Sequence, residues 1–377
     1  MIANNTVLVN MDIAPLDGVD VSNEEVVITT PFDTSKIRVE TKNTQMDSLI
    51  KRIKNKEIDL APGFQRRAGI WSDGAQSRLI ESMLIKIPLP AFYMDATDDG
   101  RWLIVDGLQR LTTIRRFVIS EELALCGLEF LTDYEGKKFS ELPRSFQRRI
   151  EETDIVVYQI QPGTPDDVKF DIFRRINTGG EPLSAQEIRH ALNQGDVTQW
   201  LERLANSDAF KDATDRGVSP KRMDDRECVL RFLAFSLSPP TSYKENNFDL
   251  FLNSAMQRAN KLDSKVLQEY ENLFYKAMNT AQQIFCGDAF RKRYKEIDPR
   301  YPINKALFEA WSVTLGKLDA NECSSLIRDR AVVKTKFTQL MRDDKEFEVA
   351  ISQGTGSVKR VRYRFAQIEN IIKECLV

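Results

Sequence analysis

The chain has 377 residues, of which 42% are hydrophobic and 29% are charged, so it can bury sizeable cores and is neither disordered nor fibrous. Its 54 basic residues nearly balance 56 acidic ones, so any contact with nucleic acid must use a local basic patch. The single histidine, His190, excludes a zinc site that needs two histidines on one helix, and a multi-histidine metal nuclease built from this chain alone.

Cysteine usage and hydropathy indicate a protein of the reducing cytoplasm. The cysteines are odd in number and contain no Cys-x-x-Cys pair, which argues against structural zinc and against a disulfide framework. The N-terminus lacks the basic start and apolar run of a signal peptide, and no segment approaches the roughly 20 apolar residues of a membrane span. We therefore expect a cytoplasmic protein without a membrane partner.

The distribution of patterns along the chain predicts an α+β fold. We expect a flexible lead-in over residues 1–40, a domain with a small mixed sheet over 41–205, and an all-α domain over 206–377. Beyond about residue 197, almost every apolar pattern has the helical period.

In the first half, apolar spacing predicts a helix that starts near Met46 with Thr44 as its N-cap. A second helix is expected from Asp73 to the Pro88–Pro90 segment, with Ile87 on its apolar face. A hairpin and a third helix follow, and then further elements. The hairpin strands are Ala91–Met94 and Trp102–Val105, and the third helix is expected to bury Leu111, Ile114, Phe117 and Val118. The further elements are strand Asp154–Ile160, helix Asp166–Ile176 and helix Ser184–Asn193. The last of these helices opens with a Ser184/Glu187 capping box.

The block Asp106-Gly-Leu-Gln-Arg110 lies where a predicted strand passes into a helix. Gly107 lets the backbone approach a ligand, and the following helix N-terminus offers N–H groups to an anion. Arg110 could hold a phosphate, Gln109 could orient a water, and Asp106 could bind Mg²⁺ or accept a proton. Alternatively, Asp106 caps the helix and Arg110 lies on its solvated face. No Walker A loop occurs in the chain.

Two further arginine-bearing turns flank this block. One contains Gln65 and Arg66 and continues to Trp71, although it could be an irregular loop with Trp71 covering the core. The other combines Arg174, Arg175, Asn177 and Thr178 with two glycines that could form an anion nest, or could simply end a helix. Three such turns in one domain predict convergence on an anionic ligand. His190 is expected to be structural.

Basic residues alternate with apolar ones near the C-terminus, at Lys359, Arg360, Arg362 and Arg364. This pattern could follow a nucleic-acid backbone, with Tyr363 and Phe365 available for stacking. The same alternation is typical of a half-buried strand, and the segment after it has the pattern of an amphipathic helix.

Four segments together resemble a known family. FQRRAGIW, QSRLIESMLIKIPLPAFYM, IVDGLQRLTTIRRF and FDIFRRINTGGEPLSAQEIRHAL, over roughly residues 60–195, are similar in order and spacing to the DGQQR-motif proteins typified by the GmrS half of the GmrSD restriction system. The resemblance implies a ParB/sulfiredoxin-like fold, binding and hydrolysis of nucleoside triphosphates, and defence against phage or modified DNA. The motif falls on residues 106–110, with Leu108 where the family has glutamine.

The resemblance therefore implies a nucleoside triphosphatase of a DNA restriction or phage-defence system, working with Mg²⁺ and DNA. Because the chain has one histidine, DNA cutting at a histidine–metal centre would require a partner nuclease, and the long C-terminal helices could pair in a homo-oligomer. Asp106, Gln109 and Arg110 would be catalytic, with Mg²⁺ on Asp106. The implied nucleotide ligands are Gln65, Arg66, Gly107, Thr112, Thr113, Arg174, Arg175, Asn177 and Thr178. Larger members carry a histidine nuclease domain, which this chain lacks. The alternatives are a non-catalytic nucleotide or DNA sensor, favoured by Leu108, and a DNA nickase that uses the same block.

Overall fold

The computed structural model describes residues 18–20, 37–60, 71–98, 100–176, 183–244, 247–295 and 299–376. The chain forms two compact units. One spans Thr30–Gln194, and the other joins Gly195–Val377 with the Met1–Thr29 segment, of which 18–20 are described. Together they confirm the predicted α+β class, whereas the ParB/sulfiredoxin-like fold stays a prediction.

A mixed sheet of five strands forms the centre of the first unit. The strands are Val39–Gln45 (β1), Ile58–Asp59 (β2), Phe92–Asp95 (β3), Trp102–Asp106 (β4) and Asp154–Ile160 (β5). Their order is β1-β5-β3-β4-β2, with β1–β5 and β3–β4 antiparallel and β3–β5 and β2–β4 parallel. The predicted hairpin of β3 and β4 and the predicted strand β5 are confirmed.

Helices cover both faces of this sheet. They are Met46–Lys54 (α1), Asp73–Leu84 (α2), Leu108–Ile114 (α3), Arg144–Glu151 (α4), Asp166–Ile176 (α5) and Ala185–Leu192 (α6). Alternate strand residues point to opposite faces, so Phe92 and Ile104 enter a core with α1–α4, whereas Val105 and Ile160 enter a second core with α5 and α6. The apolar residues predicted for the third helix are buried, and its turn Arg115–Ile119 is a π-helix.

Helix ends differ from expectation at two positions. Strand β1 continues to Gln45, which occupies the N-cap of α1, so Thr44 is a strand residue and the predicted Thr44 cap is wrong. Helix α2 ends at Leu84, and Ile87 beyond it is exposed. The Ser184/Glu187 capping box of α6 is confirmed, since Ser184 Oγ accepts from Glu187 N at 3.1 Å and Ser184 N donates to Glu187 Oε2 at 2.6 Å.

The second unit is mostly helical over its described residues. Its helices are Asp196–Ala205 (α7), Asp208–Ala213 (α8), Asp224–Leu237 (α9), Phe248–Ala259 (α10), Ser264–Phe285 (α11), Lys305–Lys317 (α12), Ala320–Arg328 (α13), Arg330–Asp343 (α14), Lys345–Ser352 (α15) and Val358–Leu376 (α16). They share one apolar core that includes Trp200 and Trp311. Within the segment expected to be a flexible lead-in, Val19 forms a β-bridge to Ile303. No helix among the described residues is long and apolar enough to cross a membrane.

Candidate functional site

Asp106 is the last residue of β4, and α3 begins two residues later at Leu108. Gly107 makes this change of direction with φ +104°, a backbone conformation that favours glycine. A Cβ atom at this position would lie 2.5 Å from Cδ1 of Phe92, so the space also requires glycine. The predicted strand–glycine–helix junction is therefore present, and it is tightly packed against β3.

The side chain of Arg110 is turned into the protein and is only 9% exposed. Its guanidinium donates to Asp106 Oδ2 at 3.0 Å, to the carbonyl of Ala91 at 3.2 Å and to the carbonyl of Pro90, and it lies 4.5 Å from the ring centre of Phe92. Burial lowers the pKa of Arg110, which the charge of Asp106 opposes. The structure thus places Arg110 as a buried support of Asp106, where the sequence predicted a phosphate ligand or a solvated residue.

Asp106 keeps access to solvent, with 34% of its side chain exposed. Across the β3–β4 pair it lies opposite Tyr93, whose ring stacks on Tyr158 of β5 at 4.8 Å between ring centres. Burial raises the pKa of Tyr93, and the neighbouring Tyr158 and the charge of Asp106 raise it further. The carboxylate of Asp106 therefore combines a fixed position with an open side, and its charge acts on the hydroxyl of Tyr93.

Gln109 connects the block to the start of α2. Its Oε1 accepts from the backbone N of Trp71 at 3.3 Å, and the carbonyl of Trp71 accepts from Gln76 Nε2 at 2.7 Å. Gln76 is 1% exposed, and its Oε1 accepts from Arg116 Nη1 at 2.9 Å. Gln76 and Arg116 were not among the site residues predicted from sequence. The available signal was a glutamine four residues before the buried Ile80 on the apolar face of α2.

The two threonines predicted to contact nucleotide differ in exposure. Thr113 is fully buried, and its hydroxyl donates to the carbonyl of Gln109 at 2.8 Å, so the prediction of a nucleotide contact is wrong for this side chain. Hydroxyl groups of threonine in a helix commonly bond to the carbonyl four residues earlier. Thr112 is half-buried on the neighbouring face of α3.

Other predicted nucleotide ligands lie on or beyond the last turn of α5. Arg174 forms an ion pair with Asp171 of its own helix at 3.5 Å, and Arg175 is exposed. The predicted ligands Asn177, Thr178, Gln65 and Arg66 lie outside the described residues. His190 is buried on α6.

The described residues bring together no group of three or more histidine, cysteine, aspartate or glutamate side chains that could hold a metal. Among these residues, Asp106 is therefore not part of a cluster of three or more metal ligands. Mg²⁺ is commonly bound through one or two carboxylates together with substrate phosphates and water, so one exposed carboxylate fits a Mg²⁺–nucleotide complex better than a protein-only metal site.

The basic tail motif begins α16, so its alternation belongs to a helix. Lys359 is exposed and pairs with Glu346 at 2.7 Å, Arg360 donates to the carbonyl of Gln353, and Arg362 donates to the carbonyls of residues 241 and 243. Arg364 is fully buried, with Glu309 as its ion-pair partner, and cannot reach a nucleic acid. The prediction of a DNA contact is wrong for Arg364.

Residues 46–193 match the family model described as GmrSD restriction endonuclease, N-terminal domain. The match covers the sheet from β2 to β5, helices α1–α6 and the whole Asp106–Arg110 block. It identifies this part of the chain as a domain of GmrSD-type restriction proteins. Searches of curated proteins and of solved structures gave no significant match.

Proposed function

We propose that this chain, whose residues 46–193 form a GmrSD-type N-terminal domain, binds and hydrolyses a nucleoside triphosphate within a DNA restriction or phage-defence system. The observation that carries the proposal is the geometry of Asp106. Its carboxylate lies at the carboxyl end of β4, is held on one oxygen by Arg110, and has about a third of its side chain exposed.

In the proposed reaction the carboxylate of Asp106 would hold Mg²⁺, and this ion would supply positive charge to the phosphates during phosphoryl transfer. Gln109, whose amide is fixed by the hydrogen bond from Trp71, orients the attacking water. Arg110 acts as a positioning residue through its bond to Asp106. Phosphate contacts are assigned to Gln65, Arg66, Arg174, Arg175, Asn177 and Thr178, and to the backbone at Gly107.

The test is release of inorganic phosphate by the purified full chain from each of the common nucleoside triphosphates, with and without Mg²⁺. Wild type is expected to release phosphate only with Mg²⁺. Asp106→Asn keeps an oxygen that can accept from Arg110 but removes the charge that holds the metal, so turnover should fall at least about 100-fold. Asp133→Asn, a change at an exposed aspartate outside the block, is the matched control and should hydrolyse at the wild-type rate. Equal rates in all three proteins would exclude Asp106 from the reaction.

A non-catalytic nucleotide sensor is the second candidate, and two observations favour it. The guanidinium of Arg110 donates its hydrogen bonds to groups within the protein, and Leu108 stands where the family has a glutamine. Calorimetric binding of a triphosphate together with no detectable phosphate release would establish the sensor and reject hydrolysis.

DNA and a partner nuclease belong to the same proposal, because the only histidine of the chain is buried on α6. We assign DNA contacts to Lys359, Arg360 and Arg362. Lys359→Ala with Arg362→Ala should weaken binding to a DNA duplex equally for different sequences, and each lost phosphate contact should reduce the slope of log K against log salt by about 1. An unchanged slope would remove this surface from the proposal.

A further inference from the structure

Trp71 differs from the other tryptophans of the chain in its exposure. Trp102, Trp200 and Trp311 are 6%, 2% and 1% exposed, whereas Trp71 is 37% exposed. The sequence left open that Trp71 covers the core, whereas the structure leaves more than a third of the residue in contact with solvent. A large aromatic ring in contact with water at this position therefore calls for a reason other than packing.

The backbone of Trp71 is fixed on both sides. Its N–H donates to Gln109 of the Asp106–Arg110 block, and its carbonyl accepts from the buried Gln76. Gln76 is in turn held by Arg116, which also pairs with Asp73 at 2.8 Å in the first turn of α2. The exposed indole is thus carried by a segment that two helices hold in place, and such preorganisation reduces the ordering cost of binding.

The hydrogen bond to Gln109 also places the backbone that carries the Trp71 ring next to the Asp106–Arg110 block. The backbone N of Trp71 lies 3.3 Å from the side chain of Gln109, and Gln109 lies three residues after Asp106. The attachment point of the ring and the carboxylate of Asp106 thus lie at the same end of α3. Indole rings stack on nucleobases of every kind, because each base presents a π-face.

We propose that Trp71 stacks on the base of the bound nucleotide and is the residue that distinguishes a nucleotide from a bare polyphosphate. This inference rests on the proposed function, and it adds a base-binding residue to a site otherwise built of charged and amide groups. The ligand class is a nucleoside phosphate with an aromatic base, in contact with the ring through stacking and without base-edge readout.

The test compares a nucleoside triphosphate with inorganic tripolyphosphate, each with Mg²⁺, by calorimetry on the full chain. Trp71→Ala should weaken binding of the nucleotide about 5- to 150-fold, the range expected for one base–aromatic stack, and leave the affinity for tripolyphosphate unchanged. Trp71→Phe should restore most of the nucleotide affinity. Phe130→Ala, a change at an aromatic side chain that is 70% exposed, is the control and should bind both ligands as wild type does.

Tryptophan fluorescence gives an independent readout, because Trp71 is the exposed indole of the four. Nucleotide should quench the emission of wild type and not that of Trp71→Phe, although the variant still binds. Unchanged nucleotide affinity in Trp71→Ala would overturn the stacking role and leave the proposed function intact, as would equal losses for nucleotide and tripolyphosphate. Wild type that binds neither ligand would overturn the proposed function and the inference together.

Discussion

Nη2 of Arg110 donates to Oδ2 of Asp106 at 3.0 Å, and the same guanidinium holds two backbone carbonyls at the start of β3. One buried arginine thus joins the end of β4, the first turn of α3 and the entry to β3. Because the carboxylate of Asp106 remains partly exposed, the interior of the protein sets its position while its chemistry stays available at the surface.

Truncation of Arg110 should destabilise the protein, because it leaves Asp106 and two carbonyls without their donor. We expect Arg110→Ala to lower the free energy of unfolding by about 3 kcal/mol, as for other broken buried networks. The measurement is urea unfolding followed by circular dichroism. Arg144→Ala is the control, since Arg144 pairs with Glu151 at an exposed position, and this variant should unfold at nearly the same urea concentration as wild type. Equal losses in the two variants would contradict the buried role of Arg110.

Gly107 should be intolerant of any side chain for two separable reasons. Gly107→Ala introduces both the cost of a positive φ and a clash with Phe92, and should cost more than about 2 kcal/mol in unfolding free energy. Gly136→Ala has φ +76° and meets nothing within 4 Å, so it should show only the cost of the backbone conformation, about 1 kcal/mol. The difference between the two variants in loss of unfolding free energy gives the contribution of the clash with Phe92. Equal losses would show that this clash does not affect stability.

Glu81 of α2 is a buried carboxylate that accepts from the backbone N–H groups of Glu129, Phe130 and Leu131 at 2.7–3.1 Å. Burial raises its pKa, but these three donors and the charge of Arg78 together lower it below the usual value. A lowered folded-state pKa stabilises the protein above the unfolded pKa of about 4.3, and this stability is lost as the pH falls through the folded-state value.

Glu81→Gln should therefore cost about 1–3 kcal/mol at pH 7 and make stability less dependent on pH below about 4.3. The measurement is thermal unfolding at a series of pH values between neutral and acid. Glu129→Gln, at an exposed neighbouring carboxylate, should stay within about 0.5 kcal/mol of wild type. If the unfolding temperature of Glu81→Gln depended on pH in the same way as that of wild type, Glu81 would not be the carboxylate whose lowered pKa stabilises the protein.

The buried pair of Arg364 and Glu309 is expected to matter for folding and not for DNA. Glu309 also pairs with Arg231 at 3.2 Å, so removal of Arg364 leaves a network of buried charge out of balance. Arg364→Ala should lower unfolding free energy by about 3–5 kcal/mol, whereas Lys359→Ala at the exposed start of α16 should change it by less than about 1 kcal/mol. The measurement is denaturant unfolding of both variants. An Arg364→Ala protein with wild-type stability and reduced DNA affinity would show that Arg364 acts in DNA binding and not in folding.

Local patterns predicted the elements whose own residues carry the signal. Strand β5 and helix α5 have the predicted bounds, because Asp154–Ile160 is a short run rich in β-branched and aromatic residues and the apolar residues of Asp166–Ile176 have helical spacing. Strand β1 was not predicted. Its residues VETKNTQ are polar and mostly exposed, and they form a strand because they pair with β5 over seven positions at the edge of the sheet.

At the candidate site too, only the features carried by neighbouring residues in the sequence could be predicted. The residues Asp106, Gly107 and Gln109 and their junction were recognisable from sequence, since a strand, a glycine and a helix follow each other directly. The burial of Arg110 was not, because its acceptors at residues 90 and 91 lie in another segment. The burial of Arg364 could not be predicted for the same reason, since its partner Glu309 lies 55 residues away in the chain. A sequence shows which side chains carry charge, whereas their partners depend on how the chain folds.

The most direct test of the central claim is calorimetric titration of a Mg²⁺–nucleoside triphosphate into wild type, Asp106→Asn and the Asp133→Asn control. We predict saturable 1:1 binding by wild type and the control, and an affinity at least about 10-fold weaker in Asp106→Asn, equivalent to about 1.4 kcal/mol. Equal affinity in all three proteins, or no binding by wild type to any of the common triphosphates, would contradict the account.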